Sequence, residues 1–350
     1  MKIVYSDGHR IHYPKNFLVS GSQQQNPEVP ERADALISSV KDAGHIIVTP
    51  RSFGAAPRGA VHSPEYLEFL ENIYTRWQRI PDASPEVIPN IHPQARGASL
   101  GVAGYPASAV GQAGYHMADT ACPIGEGTWE AACLSADIAT QAAQLILDGA
   151  SEAYALCRPP GHHAFADMAG GFCYLNNSAI AAQYLRERLG TVAVLDVDLH
   201  HGNGTQAIFY DRDDVLTISL HADPVRFYPF FWGFADERGT GRGLGYNFNL
   251  PLPRGTTGDN FLKSLQKTTQ RISAFGPSAL VVALGLDAHE ADPLAGLALT
   301  TDDFGKVARA IAALGLPTVL VQEGGYLTAA LGDNLKTFLE GFAAGRDRAS

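Results

Sequence analysis

Val192-Ala-Val-Leu-Asp-Val-Asp-Leu-His-His-Gly-Asn-Gly-Thr-Gln206 passes from an apolar run straight into carboxylates and imidazoles, with no polar spacer. Val192 to Leu195 is an unbroken apolar run with β-branched residues, which predicts a buried strand. Asp196, Asp198, His200 and His201 at its end are costly to desolvate unless something binds them. Side chains alternate along an extended chain, so Asp196, Asp198 and His200 share one side and Val197 and Leu199 the other. Asp198 and His200 then stand about 7 Å apart by Cα, an oxygen and a nitrogen able to converge on one metal. Gly202-Asn-Gly204 turns the chain before a helix. Taken alone, the pair is equally consistent with a hydrogen-bonded polar cluster at a strand end.

The chain has 350 residues, 45% hydrophobic and 18% charged, enough for one large core. A formal net charge of −10 argues against a nucleic-acid partner and suits a cationic ligand. No run reaches the length of a membrane span, and Met1 to Asp7 is a short strand pattern rather than a signal-peptide core. Cys122, Cys133, Cys157 and Cys173 lack CxxC spacing and read as reduced thiols, so a cytoplasmic protein is expected.

Apolar runs alternate with helical patterns along nearly the whole chain. Strands are predicted at Ile3–Tyr5, Ile46–Val48, Ala153–Leu156, Val192–Asp196, Val215–Leu220, Ala279–Ala283 and Thr318–Gln322. Helices are predicted from Pro30 to Ala43, from Pro64 (capped by Ser63) to Trp77, and over Thr128–Asp148, Asn176–Arg188, Gly258–Phe275, Thr301–Leu314 and Leu327–Phe342. Strands apolar on both faces, alternating with helices, predict an α/β fold: a parallel sheet covered on both sides, in a single domain over 1–350. Arg79–Gly127 breaks the rhythm, being rich in Pro and Gly without a clear period, and reads as a rim or oligomer-contact insertion. Its apolar residues Ile88, Ile91, Leu100, Val102 and Val110 have no amphipathic helix to bury them, so a partner subunit is expected there. Phe230–Gly245 is a second Gly-rich loop.

Ligands of parallel α/β sheets bind beyond the carboxyl ends of the strands. Collecting the polar residues after each apolar run gives His162 and His163, then Asp196, Asp198 and His200, then Asp287, then Tyr326. Such convergence predicts a metal-dependent active site. Asp198, His200 and Asp287 supply three ligands and leave a position open. His162 and His163 suit general acid–base work. Tyr326, on a Gly-Gly turn, suits donation to a developing oxyanion. Together they suit amide hydrolysis without a covalent intermediate.

Pro-Pro-Gly-His162-His163-Ala, Gly170-Gly-Phe-Cys-Tyr-Leu-Asn-Asn177, Asp196-Val-Asp-Leu-His-His-Gly-Asn-Gly-Thr205, Gly285-Leu-Asp287 and Glu323-Gly-Gly-Tyr326 resemble the zinc-dependent histone deacetylase superfamily, over Ile3 to about Phe342. The Arg79–Gly127 insertion, Gly125–Ala132 and Tyr228–Glu237 most resemble its bacterial acetylpolyamine amidohydrolase branch. The resemblance implies the arginase/deacetylase fold, a mostly parallel eight-stranded sheet with helices on both faces. It implies zinc, one ion per chain, on Asp198, His200 and Asp287. Asp196 is expected to orient His162, and His163 to shuttle the proton. The partner of His163 is Asn203, where several relatives carry Asp; an amide cannot raise an imidazole pKa as a carboxylate does. Gly171, Phe172 and Tyr228 are expected along a tunnel for the acylated amine. Structural potassium is implied at Asp196, Asp198, His200, Ser219 and Leu220, and again at Phe209, Arg212, Val215 and Tyr246.

An arginase-like dinuclear manganese site would need further carboxylates two residues after the ligands, where Gly202 and His289 stand instead. A ligand-binding relative with a dead site would have lost a ligand or Tyr326. Leu294 occupies the place of an acidic gatekeeper in some polyamine-selective relatives, and cannot pair with an ammonium. Asp119 could supply that charge or hold a substrate amide, or could simply cap its loop. The expected substrate is therefore a small acylated amine, acetylpolyamine foremost, with acetyl-lysine peptides or simple amides as alternatives, acted on by a homodimer.

Overall fold

The structure, a computed structural model, describes residues 1–93 and 104–347. The strands are β1 (Lys2–Val4), β2 (Asn16–Val19), β3 (Ser22–Gln25), β4 (Ile46–Val48), β5 (Glu152–Ala155), β6 (Val192–Asp196), β7 (Val215–Ala222), β8 (Asn247–Leu252), β9 (Ala279–Leu284) and β10 (Thr318–Gln322). The helices are α1 (Pro30–Asp42), α2 (Ala56–Gly59), α3 (Pro64–Trp77), α4 (Ala109–His116), α5 (Thr128–Leu147), α6 (Asn177–Leu189), α7 (Asn203–Phe209), α8 (Gly258–Phe275), α9 (Thr301–Ala312) and α10 (Leu331–Arg346).

Eight strands form one sheet in the order β4-β1-β5-β10-β9-β6-β7-β8, and every pairing within it is parallel. Strand alternation sorts the side chains onto two faces. Ala193 and Leu195 join the core under α1, α8, α9 and α10, while Val192 and Val194 join the core under α5 and α6. Helices therefore cover both faces, as a sheet buried on both sides requires.

The register places the site. Ala155 of β5 pairs with Val321 of β10, Gln322 of β10 with Leu284 of β9, and Ala283 of β9 with Asp196 of β6. Four neighbouring central strands thus end side by side, and the loops that follow them share one edge.

Some elements differ from the sequence expectations. The insertion is not wholly irregular: it contains α4, whose N-cap Ser108 accepts from Gly111 N. Two glycines and only eight residues left too little periodicity to read. Val110 on this helix is half-buried against the cluster built on Tyr66, Phe69 and Ile73, so it does have a helix to bury it. Ile88 is half-buried, Ile91 is exposed, and Leu100 and Val102 lie outside the described residues. The eighth strand, β8, alternates Asn with apolar residues and contains Pro251, which its place at the sheet edge tolerates. β2 and β3 form an antiparallel hairpin that no apolar alternation announced. The last helix starts at Leu331 rather than Leu327 and runs on to Arg346, which leaves Gly324–Ala330 free to shape the site.

Candidate active site

Asp198 and His200 follow β6, and Asp287 follows β9. Their ligand atoms all lie within 4.8 Å of one another, and all three residues are buried. Nδ1 of His200 is 3.2 Å from Asp198 Oδ1 and 3.1 Å from Asp287 Oδ2. Backbone donors fix both carboxylates: Gly324 N donates to Asp198 Oδ2 and Leu199 N to Asp287 Oδ1. Glycine is obligatory around them. A Cβ on Gly285 would stand 2.1 Å from Asp198 Oδ2, and one on Gly324 2.3 Å from Asp287 Oδ2.

Burial opposes the charge on Asp198, but His162 and His200 outweigh it and hold this carboxyl well below the usual range. Burial and the charge of Asp198 push Asp287 up. Burial lowers His200, yet the two carboxylates win and raise it to about 9. Two buried carboxylates on one imidazole are a donor set for a divalent cation, which would bind there in place of a proton. A second group, His162, Cys173 and Glu323, has the proximity but not the chemistry. Burial pushes the Cys173 thiol far up, and Glu323 is already held by Gly161 N, His162 N and Ser178 Oγ.

His162 and His163 come from the loop after β5, with ring centroids 4.0 Å apart. Nδ1 of His162 lies 2.9 Å from Asp196 Oδ2, and Nδ1 of His163 lies 2.7 Å from Asn203 Oδ1. Burial disfavours a proton on His162, but Asp198 and Asp196 outweigh it and raise it to about 10. Burial, then the neighbouring His162 and His200, drive His163 well below its ordinary value. The two rings are pushed in opposite directions, the separation an acid–base pair requires.

Tyr326 is 4% exposed, on the turn after β10. Its ring meets Phe172 at 5.8 Å, and the Arg32 guanidinium lies 4.7 Å from its centroid. Phe172 holds φ +67 and Gly171 φ +50, so this wall is built on left-handed backbone. A cavity of about 520 Å³ rises from the cluster, lined by His162, His163, Phe172, Tyr228, Leu294 and Tyr326 among others. The Tyr228 ring packs edge-on to His163 at 4.9 Å. Its hydroxyl donates to Asp119 Oδ2 at 2.7 Å, and Gly171 N donates to the same oxygen at 3.2 Å. Ala121 N donates to Asp119 Oδ1, so Asp119 both caps its loop and faces the cavity.

Four contributors carried no recognisable role in the sequence. Phe17 and Leu18 of β2 line the cavity. Glu323 holds the tandem-histidine loop through Gly161 N at 2.6 Å and His162 N at 3.0 Å. Arg32 donates from Nη2 to Glu323 O and from Nε to Gly325 O, fixing the turn that carries Tyr326. Of the residues expected at potassium, Ser219 pairs in register with Asp196. Phe209, Arg212 and Val215 cluster at the start of β7, where Tyr246 O accepts from Thr217 N.

Residues 26–342 match the histone deacetylase domain. The chain is 48% identical to the acetylpolyamine amidohydrolase of Burkholderia pseudomallei over 335 residues, covering 95% of this chain and 96% of that protein. It is 44% identical to acetylpolyamine amidohydrolase 1 of Pseudomonas aeruginosa, covering 98% and 99%. The crystal structure of acetylpolyamine aminohydrolase from Burkholderia pseudomallei superimposes with a TM-score of 0.93 at 47% identity, covering 98% of this chain and 99% of that one. Matched over nearly its whole length, with a metal-capable cluster where four central strands end, this chain belongs to the histone deacetylase family.

Proposed function

We propose that this protein is an amide hydrolase that removes acetyl or other short acyl groups from small amines, acetylpolyamines foremost. The observation that carries the reading is the aromatic-walled cavity that ends on Asp198 and His200, which cluster with Asp287, beside the tandem histidines His162 and His163. Relatives at 48% and 44% identity bear the name acetylpolyamine amidohydrolase. Family membership implies a divalent metal cofactor, and we assign one zinc ion to Asp198, His200 and Asp287. A divalent cation there polarises an amide carbonyl and acidifies water. Two features support a single ion. A Cβ on Gly202 would stand 2.2 Å from Asp196 Oδ2. His289 accepts from Ala291 N and stacks on Phe304.

The protein's own residues do the rest. His163, neutral, accepts the proton of the attacking water and returns it to the leaving amine. His162, oriented by Asp196, faces the reacting oxygens beside His163 and in its protonated form stabilises negative charge there. The Tyr326 hydroxyl donates to the carbonyl oxygen as that oxygen gains charge. Phe172 and Tyr228 exclude water from the acyl chain, with Gly171 and Leu294 completing the wall. Asp119 accepts from the substrate's amide or ammonium. Structural potassium belongs to the two residue sets named above. Exposed Ile91 and Tyr105 in the insertion support a homodimer, and four free cysteines support a cytoplasmic setting. Among the described residues no helix is long and apolar enough to cross a membrane.

The test is a deacylation panel of acetylputrescine, acetylspermidine, an acetyl-lysine peptide and simple amides, run with wild-type protein and Asp119→Asn. Acetylpolyamines are expected to have the highest kcat/KM, with Asp119→Asn weakening them more than the neutral amides. A peptide or neutral amide at the head of the ranking would replace this substrate reading with one of those.

A further inference from the structure

Two loops bring the reacting side of the cavity together. The loop after β9 carries Asp287 and Leu294, and the turn after β10 carries Tyr326. One side chain joins them. Asp292, 4% exposed, accepts from Tyr326 N through Oδ2 at 2.9 Å and from Leu294 N through Oδ1 at 2.9 Å. Its own backbone is fixed as firmly: Asp292 N donates to His289 O, and Ala295 N donates to Asp292 O, both at 3.0 Å. Ala295 sits at φ +42, a left-handed conformation that a non-glycine residue keeps only when its surroundings impose it. Here a closed turn over Asp292–Ala295 and the Arg254 bond to Ala295 O do so.

We propose that Asp292 is a positioning residue that sets Tyr326 and Leu294 together, so that oxyanion stabilisation and substrate selection depend on one carboxylate. The chemistry requires Asp. Two backbone N–H groups from different loops converge on one small side chain, and only a carboxylate presents an acceptor to each. Asparagine turns a donor toward one of them, and glutamate is a methylene too long. Tyr326 N belongs to no strand ladder, so losing this acceptor leaves Tyr326 itself unheld at its N–H, while Arg32 still grips the turn only up to Gly325 O. Leu294 is half-buried, with its backbone on Asp292 and its side chain on the cavity wall. A shift of the Asp292 carboxylate therefore moves the oxyanion donor and the wall at once. This inference rests on the role proposed above for Tyr326.

The experiment is a double-mutant cycle on zinc-loaded protein, using whichever amides the wild-type panel hydrolyses. Asp292→Asn is expected to retain its metal and to lose about 10- to 100-fold in kcat, the scale of a small misplacement of a catalytic group. It is also expected to change the ratio of kcat/KM between a charged and a neutral substrate. In a Tyr326→Phe background the same substitution is expected to change kcat by less than about twofold, since no hydroxyl is left to misplace. An equal fall in both backgrounds would mean general damage and would overturn the proposal. If Asp292→Asn does not fold, Asp292→Glu enters the same cycle under the same two outcomes. Amide hydrogen exchange gives a reading that needs no turnover: exchange at Tyr326 N–H and Leu294 N–H should quicken together in the variant. Unchanged protection at Tyr326 would also overturn it. Wild-type protein inactive on every amide would instead remove the function proposed above and leave the exchange result to decide this one.

Discussion

Nδ1 of His163 faces the amide oxygen of Asn203 at 2.7 Å, while Nδ1 of His162, one residue earlier, faces the carboxylate of Asp196 at 2.9 Å. Both rings are buried; Asp198 and Asp196 raise His162, burial and the neighbouring His162 and His200 lower His163, and the difference in partner adds to that separation. An amide fixes orientation without stabilising imidazolium; a carboxylate does both. Asn203→Asp should therefore raise the His163 pKa. A base must be neutral to accept a proton, so the acid limb of the kcat/KM profile should move to higher pH, by about one unit or more. An unmoved limb would show that Asn203 does not tune the base.

Tyr326→Phe removes one hydroxyl from a ring already clamped between Phe172 and Arg32. The fold and the metal content should be unchanged. Turnover should fall by roughly 10²–10³, the scale of a single oxyanion donor. A near-normal kcat would exclude the hydroxyl from the chemistry.

The cluster of Asp198, His200 and Asp287 should bind one ion per chain. His200→Ala or Asp287→Ala should abolish that binding, because either leaves two ligands where three converged within 4.8 Å. Elemental analysis of purified protein is the check, and two tightly held ions per chain at this site would contradict the assignment to a single metal.

Asp198, His200 and Asp287 were legible because each follows an apolar run with no spacer, and a parallel sheet ends all such runs on one edge. The tandem histidines were legible for the same reason. Glu323 lies within an equally visible segment, yet its role was not readable: its partners Gly161, His162 and Ser178 are more than 140 residues away in the chain. Arg32 is hidden more deeply, in the first turn of an ordinary amphipathic helix, while its acceptors Glu323 and Gly325 lie at the other end of the sequence. Phe17 and Leu18 belong to a hairpin whose second strand is Ser-Gln-Gln-Gln, without the alternation that marks a half-buried strand. The edge strand β8 failed for a related reason, because Asn247 and Asn249 face a polar network with Gln206 and Glu237 instead of a core. Local pattern reports burial and chain direction. It carries no information on which distant backbone group a buried polar side chain will meet.

Acid should destabilise the protein through its buried neutral histidines, against the opposing pull of Asp292 and Glu323, which burial raises to about 7. Burial holds His9, His62 and His221 down to about 4, with Arg158 adding to the effect at His9. Above about 6.5 neither the folded nor the unfolded chain protonates these rings, and their contribution to stability is complete. Between about 6.5 and 4 the unfolded chain binds protons that the folded chain refuses, so stability falls by about 1.4 kcal/mol per pH unit for each ring. His162 works in another window. Raised to about 10, it contributes stability that is full below 6.5 and lost as the pH rises through 10, so it adds no slope in acid. His62 offers a clean probe, because its Nε2 accepts from Asn176 N at 2.9 Å and the side-chain oxygen of glutamine can accept in its place. Urea unfolding of the wild type should give a lower free energy at pH 5 than at pH 7. In His62→Gln that loss should shrink by the share of one histidine, about 1–2 kcal/mol. An identical loss in both proteins would mean that His62 is not held neutral in the folded state.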